Sequence, residues 1–395
     1  MNKKGSFLAG YLFTFSDLDS LKECIAKGVY STYMSVKWTQ ATVPTLGDLV
    51  TAEPGDNVYF FSSRKVYGIG ELVEIARDVV VAENHSGVTN GKTYSQAPDD
   101  FGPLVDSGRV KDKVQRWVIA FRPSPYFFTT GIDMDDLLAS NEEAIKILRV
   151  FWKRSFIKFG DAENRAFKAA ILRRNRDCLQ RRPANGRIFG CETSKTLERI
   201  RKGVAKEPDI PSLLLGKKEG DGSLKSESYL ELGLLSQLAK HDEPTERVFG
   251  KADYLSHQVP ASPMKAVDYM DRMDVFGYRW LPGYKGEIVG SFIVAELKKG
   301  KATGEDISQI MRYVDWVCET YASGDYSMVE AFLVAHSFDR ESINKALDQV
   351  ARNYIVGVKP PKSITWNSLR LVTYDVDGCG HLAFEERGSA ANVVV

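Results

Sequence analysis

Apolar and polar positions follow two different periods along this chain, and the change of period divides it. Residues 7–15 form an apolar run of strand length, after which Ser16-Asp17 supplies a helix N-cap for 18–27 and Gly28 ends that helix. Three further apolar runs, 30–38, 57–61 and 65–75, read as strands. A turn at Glu53-Pro54-Gly55-Asp56 precedes the last two, which pair as a hairpin. A polar stretch over 84–108 leads to one more strand at 115–122. This succession predicts a small β-barrel over residues 1–130.

Beyond 130 the period lengthens. Leu137, Leu138, Ile145, Leu148, Phe151 and Trp152 recur at helical spacing and predict a helix over 133–159. Residues 203–226, with Pro208, Pro211 and the glycine-rich stretch 216–222, predict a linker. The two periods then alternate: helix 227–240, strands around Asp274 and at 292–298, helix 305–321, strand 329–335, helix 340–353, and a hairpin over 369–386 about Asp377-Gly378. The expected fold class is α+β multidomain: a barrel at 1–130, a helical segment at 131–202, a linker at 203–226 and a compact α/β unit at 227–395.

Composition adds bounds to this picture. A length of 395 residues calls for two or three domains, and 43% hydrophobic residues can fill their cores. No run approaches the roughly 18 apolar residues of a membrane span, and the N-terminus lacks the apolar stretch of a signal peptide, so a cytoplasmic location and no membrane partner are expected. The five cysteines make no C-x-x-C pair, which argues against a zinc ribbon or a disulfide framework. A formal net charge of +1 conceals a local excess. Arg165, Lys168, Arg173, Arg174, Arg176, Arg181, Arg182, Arg187, Lys195, Arg199, Arg201 and Lys202 fall in one stretch with few acids between them. Such a field suits a polyanion, and the helical segment is expected to contact DNA through it.

The chemistry is concentrated in the sequence Ser291-Phe-Ile-Val-Ala-Glu296-Leu-Lys298-Lys-Gly300. Residues i and i+2 of a strand share a face, so Glu296 and Lys298 project together from the strand's end. A hard divalent cation takes about six oxygen ligands, so one carboxylate is not enough. Asp274 lies on a strand that would pair antiparallel with the Glu296 strand, and the two carboxylates with the Leu297 carbonyl form a ligand set for one or two Mg²⁺ ions. Downstream, Ile307, Ile310, Met311, Val314, Val317 and Cys318 make one helical stripe, with Gln309, Arg312 and Tyr313 on the adjacent face.

Taken in order, Ser226-Glu227-x-x-Leu230-Glu231, Arg272-Met-Asp274, Val294-Ala-Glu296-Leu-Lys298-Lys-Gly300 and Gln309-Ile-Met-Arg-Tyr313 resemble the PD-(D/E)XK nuclease superfamily. The nearest types are the NucS/EndoMS C-terminal domain and the antiphage Shedu nucleases, and the likeness covers roughly residues 225–340. The resemblance implies that Asp274 and Glu296 ligate Mg²⁺ or Mn²⁺, that Glu227 completes the metal shell, and that Lys298 orients the attacking hydroxide or stabilises the transition state. Gln309 would stand where that family's helix glutamine stands. The long hairpin leaves Asp271 or Asp268 as alternatives to Asp274, and Glu231 as an alternative to Glu227.

At the N-terminus, Phe13-Thr-Phe-Ser-Asp, Gly28-Val-Tyr30, Trp38, Gly55-Asp56-x-Val-Tyr-Phe and Val66-Tyr-Gly-Ile-Gly70 are similar to the PUA-like superfamily, in particular its EVE and YTH branches. A flipped base needs flat apolar walls, which Tyr33, Trp38, Tyr59, Phe61 and Trp117 can supply. Together the resemblances imply a metal-dependent DNA endonuclease, a homo-oligomer (dimer or tetramer), acting against foreign or base-modified phage DNA. The alternatives are a NucS-like nuclease for mismatched or branched DNA, and a nucleic-acid-binding protein without activity.

Overall fold

The structure is a computed structural model, and it describes residues 8–15, 17–34, 43–81, 113–141, 143–145, 156–177, 186–187, 210–261 and 271–389. The chain divides into two compact units, Met1–Asp209 and Ile210–Val395.

In the first unit, β1 (Gly10–Phe15), α1 (Leu18–Lys27), β2 (Val29–Met34), α2 (Val43–Val50), β3 (Asn57–Ser62), β4 (Lys65–Val81), β5 (Lys113–Asp133), α3 (Met134–Ala139), β6 (Phe156–Phe159), α4 (Asp161–Arg174) and β7 (Gly186–Arg187) follow in order. Asp17 caps α1 by accepting from the Ser20 N–H, and Gly28 closes it in the left-handed conformation, φ 65°. The sheet runs β2-β5-β4-β3-β1-β6, with β7 beside β5. Among the described residues this path does not close, with β2 and β6 at its two ends, so the expected barrel is not formed by them.

The described residues of the expected helix over 133–159 divide: Met134–Ala139 is helical, and Phe156–Phe159 is a strand. The sheet won over the helical spacing there, because β6 pairs beside β1, with Gly10 opposite Phe159. A Cβ on Gly10 would lie 2.1 Å from the Phe159 ring, so the missing side chain makes the close pairing possible.

One face of the sheet packs Phe13 on Tyr30, ring centroids 4.4 Å apart, with Phe60 against Phe121 at 4.9 Å. The other packs Tyr59 between Phe159 and Phe167 of α4. Tyr59, expected as a pocket wall, is therefore a core residue. It is 0% exposed, and its hydroxyl donates to Asn164 Oδ1 at 2.5 Å. We expect Tyr59→Phe to cost about 1–3 kcal/mol in urea unfolding, because the buried Asn164 oxygen loses its donor, and to leave binding of modified DNA unchanged. A binding defect without a stability loss would restore the pocket role.

Phe61 is half-buried. Tyr33 and Trp117 are described in backbone only, in β2 and β5 with Tyr33 paired to Arg116 and Trp117 to Thr32. Trp38 lies outside the described residues.

The second unit contains α5 (Ile210–Leu215), α6 (Glu227–Ala239), α7 (Glu243–Phe249), β8 (Tyr254–Pro260), β9 (Arg272–Trp280), β10 (Val289–Ala302), α8 (Gly304–Thr320), β11 (Val329–Phe338), α9 (Arg340–Leu347), β12 (Arg352–Val356), β13 (Lys362–Trp366), β14 (Leu369–Val376) and β15 (Leu382–Ser389). Its main sheet runs β15-β14-β11-β10-β9-β8. β8, β9 and β10 form an antiparallel meander, and α8 then carries the chain over to β11, which is parallel to β10. Helix, three strands, helix, strand is the frame that holds the chemistry.

The described part of the expected linker folds onto this unit. Leu213 and Leu214 of α5 are buried, and the Leu224 N–H donates to the Tyr374 hydroxyl. The expected helix over 340–353 stops at Leu347, and Arg352–Val356 turns back as a strand paired with β13. β8 has no counterpart among the expected strands. The hairpin expected about Asp377 joins β14 to β15.

Candidate active site

β9 and β10 pair as far as Val275 opposite Ala295. One residue further, at Asp274 and Glu296, the ladder gives way. The Leu297 N–H, which a continuing ladder would leave to a backbone carbonyl, is taken by Asp274 Oδ2 at 2.8 Å. β10 continues beside β11, with Glu296 opposite Leu333, while β9 continues beside β8. The fork between the two strands is where the acidic side chains meet.

Glu296 is 1% exposed. Its Oε1 accepts from Lys298 Nζ at 2.7 Å, and its buried Oε2 has no hydrogen-bond partner. Burial, with the charges of Glu227 and Asp306, pushes its carboxyl up to about 7, against the opposing pull of Lys298. Asp274 is raised well above the ordinary carboxylate range by burial and then by the charges of Glu296 and Glu231. Two carboxylates that resist ionising side by side form a site that favours a cation between them.

Lys298 stands beside Glu296 on the same strand. Burial works against its charge, but Glu296, Glu227 and Asp306 outweigh burial and hold the ammonium above its usual range. Its Nζ lies 3.5 Å from Asp306 Oδ1. Asp306 also closes the capping box at the start of α8, its Oδ2 accepting from the Thr303 N–H at 2.7 Å, so the cap and the site share one side chain.

The first helix contributes two acids. Glu227 is exposed in the first turn of α6, whose cap is Ser226. Glu231, one turn later, is buried with its Oε1 2.7 Å from His257 Nδ1 of β8. Both bear electrostatically on the pair, Glu227 on Glu296 and Glu231 on Asp274. Asp271 is half-buried just ahead of β9, and it is Asp274 that bonds Leu297; Asp268 lies outside the described residues.

On α8, Gln309 Nε2 donates to the Tyr313 hydroxyl at 2.8 Å. Tyr313 is buried, and burial followed by the Glu296 charge raises its phenol. Arg312 is exposed on the same helix, its Nη1 donating to the Ser308 carbonyl at 3.3 Å.

The expected DNA-binding arginines are exposed on and after α4, several of them beside acids: Arg165 is 2.9 Å from Asp161, Arg174 is 3.8 Å from Asp136 and Arg176 is 3.6 Å from Asp177. Arg173 is exposed, with its Nε on the Ala169 carbonyl. Arg181 and Arg182 lie outside the described residues.

Asp306, His257 and Gln258 stand at the site without being among the expected residues. The S/T-x-x-D spacing of Thr303 and Asp306 was a readable capping signal. His257 and Gln258 sit in β8, and nothing in their spacing marks them.

The donor set fits a hard cation. The observation is the buried, unpartnered Glu296 Oε2 beside a second carboxylate. Among the described residues no group of three or more His, Cys, Asp or Glu side chains is assembled for a metal. The remaining ligands would come from the Leu297 carbonyl, water and substrate oxygens, as is usual for Mg²⁺.

No family model and no curated protein matches the chain. Among solved structures, a repair endonuclease from Pyrococcus abyssi is similar at 28% identity over 29% of this chain, with a TM-score of 0.19; the chain spans 42% of that protein's length. A hypothetical protein from Leishmania major is similar at 18% identity over 44% of this chain and 98% of its own, TM-score 0.27. The MspJI restriction endonuclease, solved with an oligonucleotide, is similar at 8% identity over 82% of this chain and 66% of its own, TM-score 0.17. Likenesses of this size carry no argument about function, which rests on the site's own geometry.

Proposed function

We propose that the C-terminal unit is a metal-dependent endodeoxyribonuclease that hydrolyses phosphodiester bonds. The observation that carries this is the fork of β9 and β10, where Asp274, the buried Glu296 with its unpartnered oxygen, and Lys298 meet at the end of one sheet.

Asp274, Glu296 and the Leu297 carbonyl would hold Mg²⁺ or Mn²⁺, with Glu227 at the rim. The ion would supply Lewis-acid charge and a water of lowered pKa. Lys298 keeps a fixed positive charge beside Glu296, where it orients the attacking water and offsets the negative charge that builds on the phosphate oxygens as the new P–O bond forms and the old one breaks. Gln309 fixes the Tyr313 hydroxyl, and Tyr313 helps to close the site to bulk water. The exposed arginines of α4 and Arg312 would hold DNA phosphates. Cutting both strands calls for two such sites, and so for a homo-oligomer.

The decisive experiment incubates supercoiled plasmid with the protein and Mg²⁺ or Mn²⁺, beside Glu296→Ala. Nicked and linear products are expected from the wild type alone; equal inertness of the two proteins overturns the proposal. The biological setting we infer, defence against phage DNA, rests on the Shedu-like order of the motifs. It is tested by phage plating on cells carrying wild type or Glu296→Ala, with modified, plain and mismatched duplexes compared in vitro.

A further inference from the structure

Gln258 is the feature of the second unit that the proposed chemistry has not used. It lies in β8 between His257, which pairs with Val275, and Val259, which pairs with Met273. The register is the same on both sides, so Gln258 stands opposite Asp274. At this one position the strand backbone turns left-handed, φ 51°. A residue with a Cβ is strained there. The strain is not needed to turn the chain or to shift its register, since β8 runs on beside β9 to Pro260 and Arg272. Its local correlate is a side-chain contact, for Gln258 Nε2 donates to Asp274 Oδ1 at 3.0 Å.

Asp274 stands where β9 leaves the β10 ladder, so its side chain is oriented by other contacts. The Leu297 N–H holds one of its oxygens and Gln258 the other. The Leu297 donor is backbone and comes with the fork; the Gln258 donor is a side chain placed by an unfavourable φ.

We propose that Gln258 is a positioning residue, held in a strained backbone so that its amide fixes the orientation of the Asp274 carboxylate for the divalent cation. This rests on the nuclease reading for its catalytic consequence, but not for its effect on cation binding. A carboxylate oxygen keeps lone-pair capacity after accepting one hydrogen bond, so a bonded Asp274 can still ligate.

Gln258→Gly separates positioning from scaffolding, because glycine relieves the backbone strain while removing the amide. We expect Mn²⁺ affinity, titrated calorimetrically on the full chain, to fall about 10–100-fold, as for other partners that orient a metal ligand. The metal-free melting temperature should equal or exceed that of the wild type. On plasmid at saturating Mn²⁺, kcat should fall with KM for DNA little changed. Gln258→Asn tolerates the same backbone but reaches one methylene less far, and should fall with the glycine variant.

Wild-type Mn²⁺ affinity in both variants overturns the proposal, and so does a loss of affinity that accompanies a lowered melting temperature. If the wild type binds Mn²⁺ but cuts no DNA, the nuclease reading fails and the affinity comparison still decides the role of Gln258. If the wild type binds no Mn²⁺, both fail.

Discussion

Lys298→Ala is expected to lower the rate of DNA cleavage by about 10²–10³-fold with little change in KM, the usual cost of removing one preorganised charge from a reacting centre. The size follows from where the ammonium sits. It is bonded to Glu296 Oε1 at 2.7 Å and lies 3.5 Å from Asp306, with its side chain 20% exposed, so bulk water screens it poorly and cannot replace it. The protein should still fold, because Glu296 already holds its proton up to about pH 7 and, without the ammonium, would hold it higher still. Lys298→Arg is not a conservative rescue. A guanidinium is larger, planar and differently directed, and should leave most of the defect in place. Single-turnover cleavage at saturating Mg²⁺, with circular dichroism to verify the fold, checks the effect. A folded Lys298→Ala enzyme within a few-fold of wild type would remove Lys298 from the chemistry.

The C-terminal frame was legible because its elements carry strong local signals. The stripe from Ile307 to Cys318 is buried as its spacing requires, Ser226 caps α6, and the hydrophobic run of β11 is that of a strand flanked by parallel neighbours on both sides. The meeting of Asp274 with Glu296 was legible for a related reason: antiparallel pairing through one hairpin fixes which residues face each other. What failed were elements whose identity is decided by distant partners. Phe156–Phe159 becomes a strand because Gly10, far away in sequence, leaves room for Phe159. Tyr59 turns into the core because α4 supplies Asn164 to its hydroxyl and Phe167 to its ring. Gln258 was out of reach altogether, since no propensity predicts a left-handed glutamine inside a strand. Long-range packing overrides local pattern in the first two, and the third is the kind of local violation expected beside a functional site.

Glu296→Gln is expected to make the protein more stable at pH 8 while abolishing cleavage. In the unfolded chain the Glu296 carboxyl titrates at its ordinary value of 4.5, and in the folded protein at about 7. The folded state therefore keeps a proton that the unfolded state has lost, and between about pH 4.5 and about pH 7 stability falls as pH rises. Above pH 7 the loss is complete, roughly 3 kcal/mol at about 1.4 kcal/mol per unit. Glutamine does not titrate, and its amide oxygen can still accept from Lys298, so the variant escapes the loss. It also lifts one of the charges that oppose Asp274. Thermal melts without metal at pH 4.5 and pH 8 check this. The two proteins should melt together at the lower pH and separate at the higher, with the variant above. Added Mn²⁺ should then close the gap from the other side, by stabilising the wild type and not the variant. A variant that is less stable than wild type at pH 8 would mean that the buried carboxylate holds the fold together, and that the fork of β9 and β10 is a structural ion pair instead of a site kept under strain for a cation.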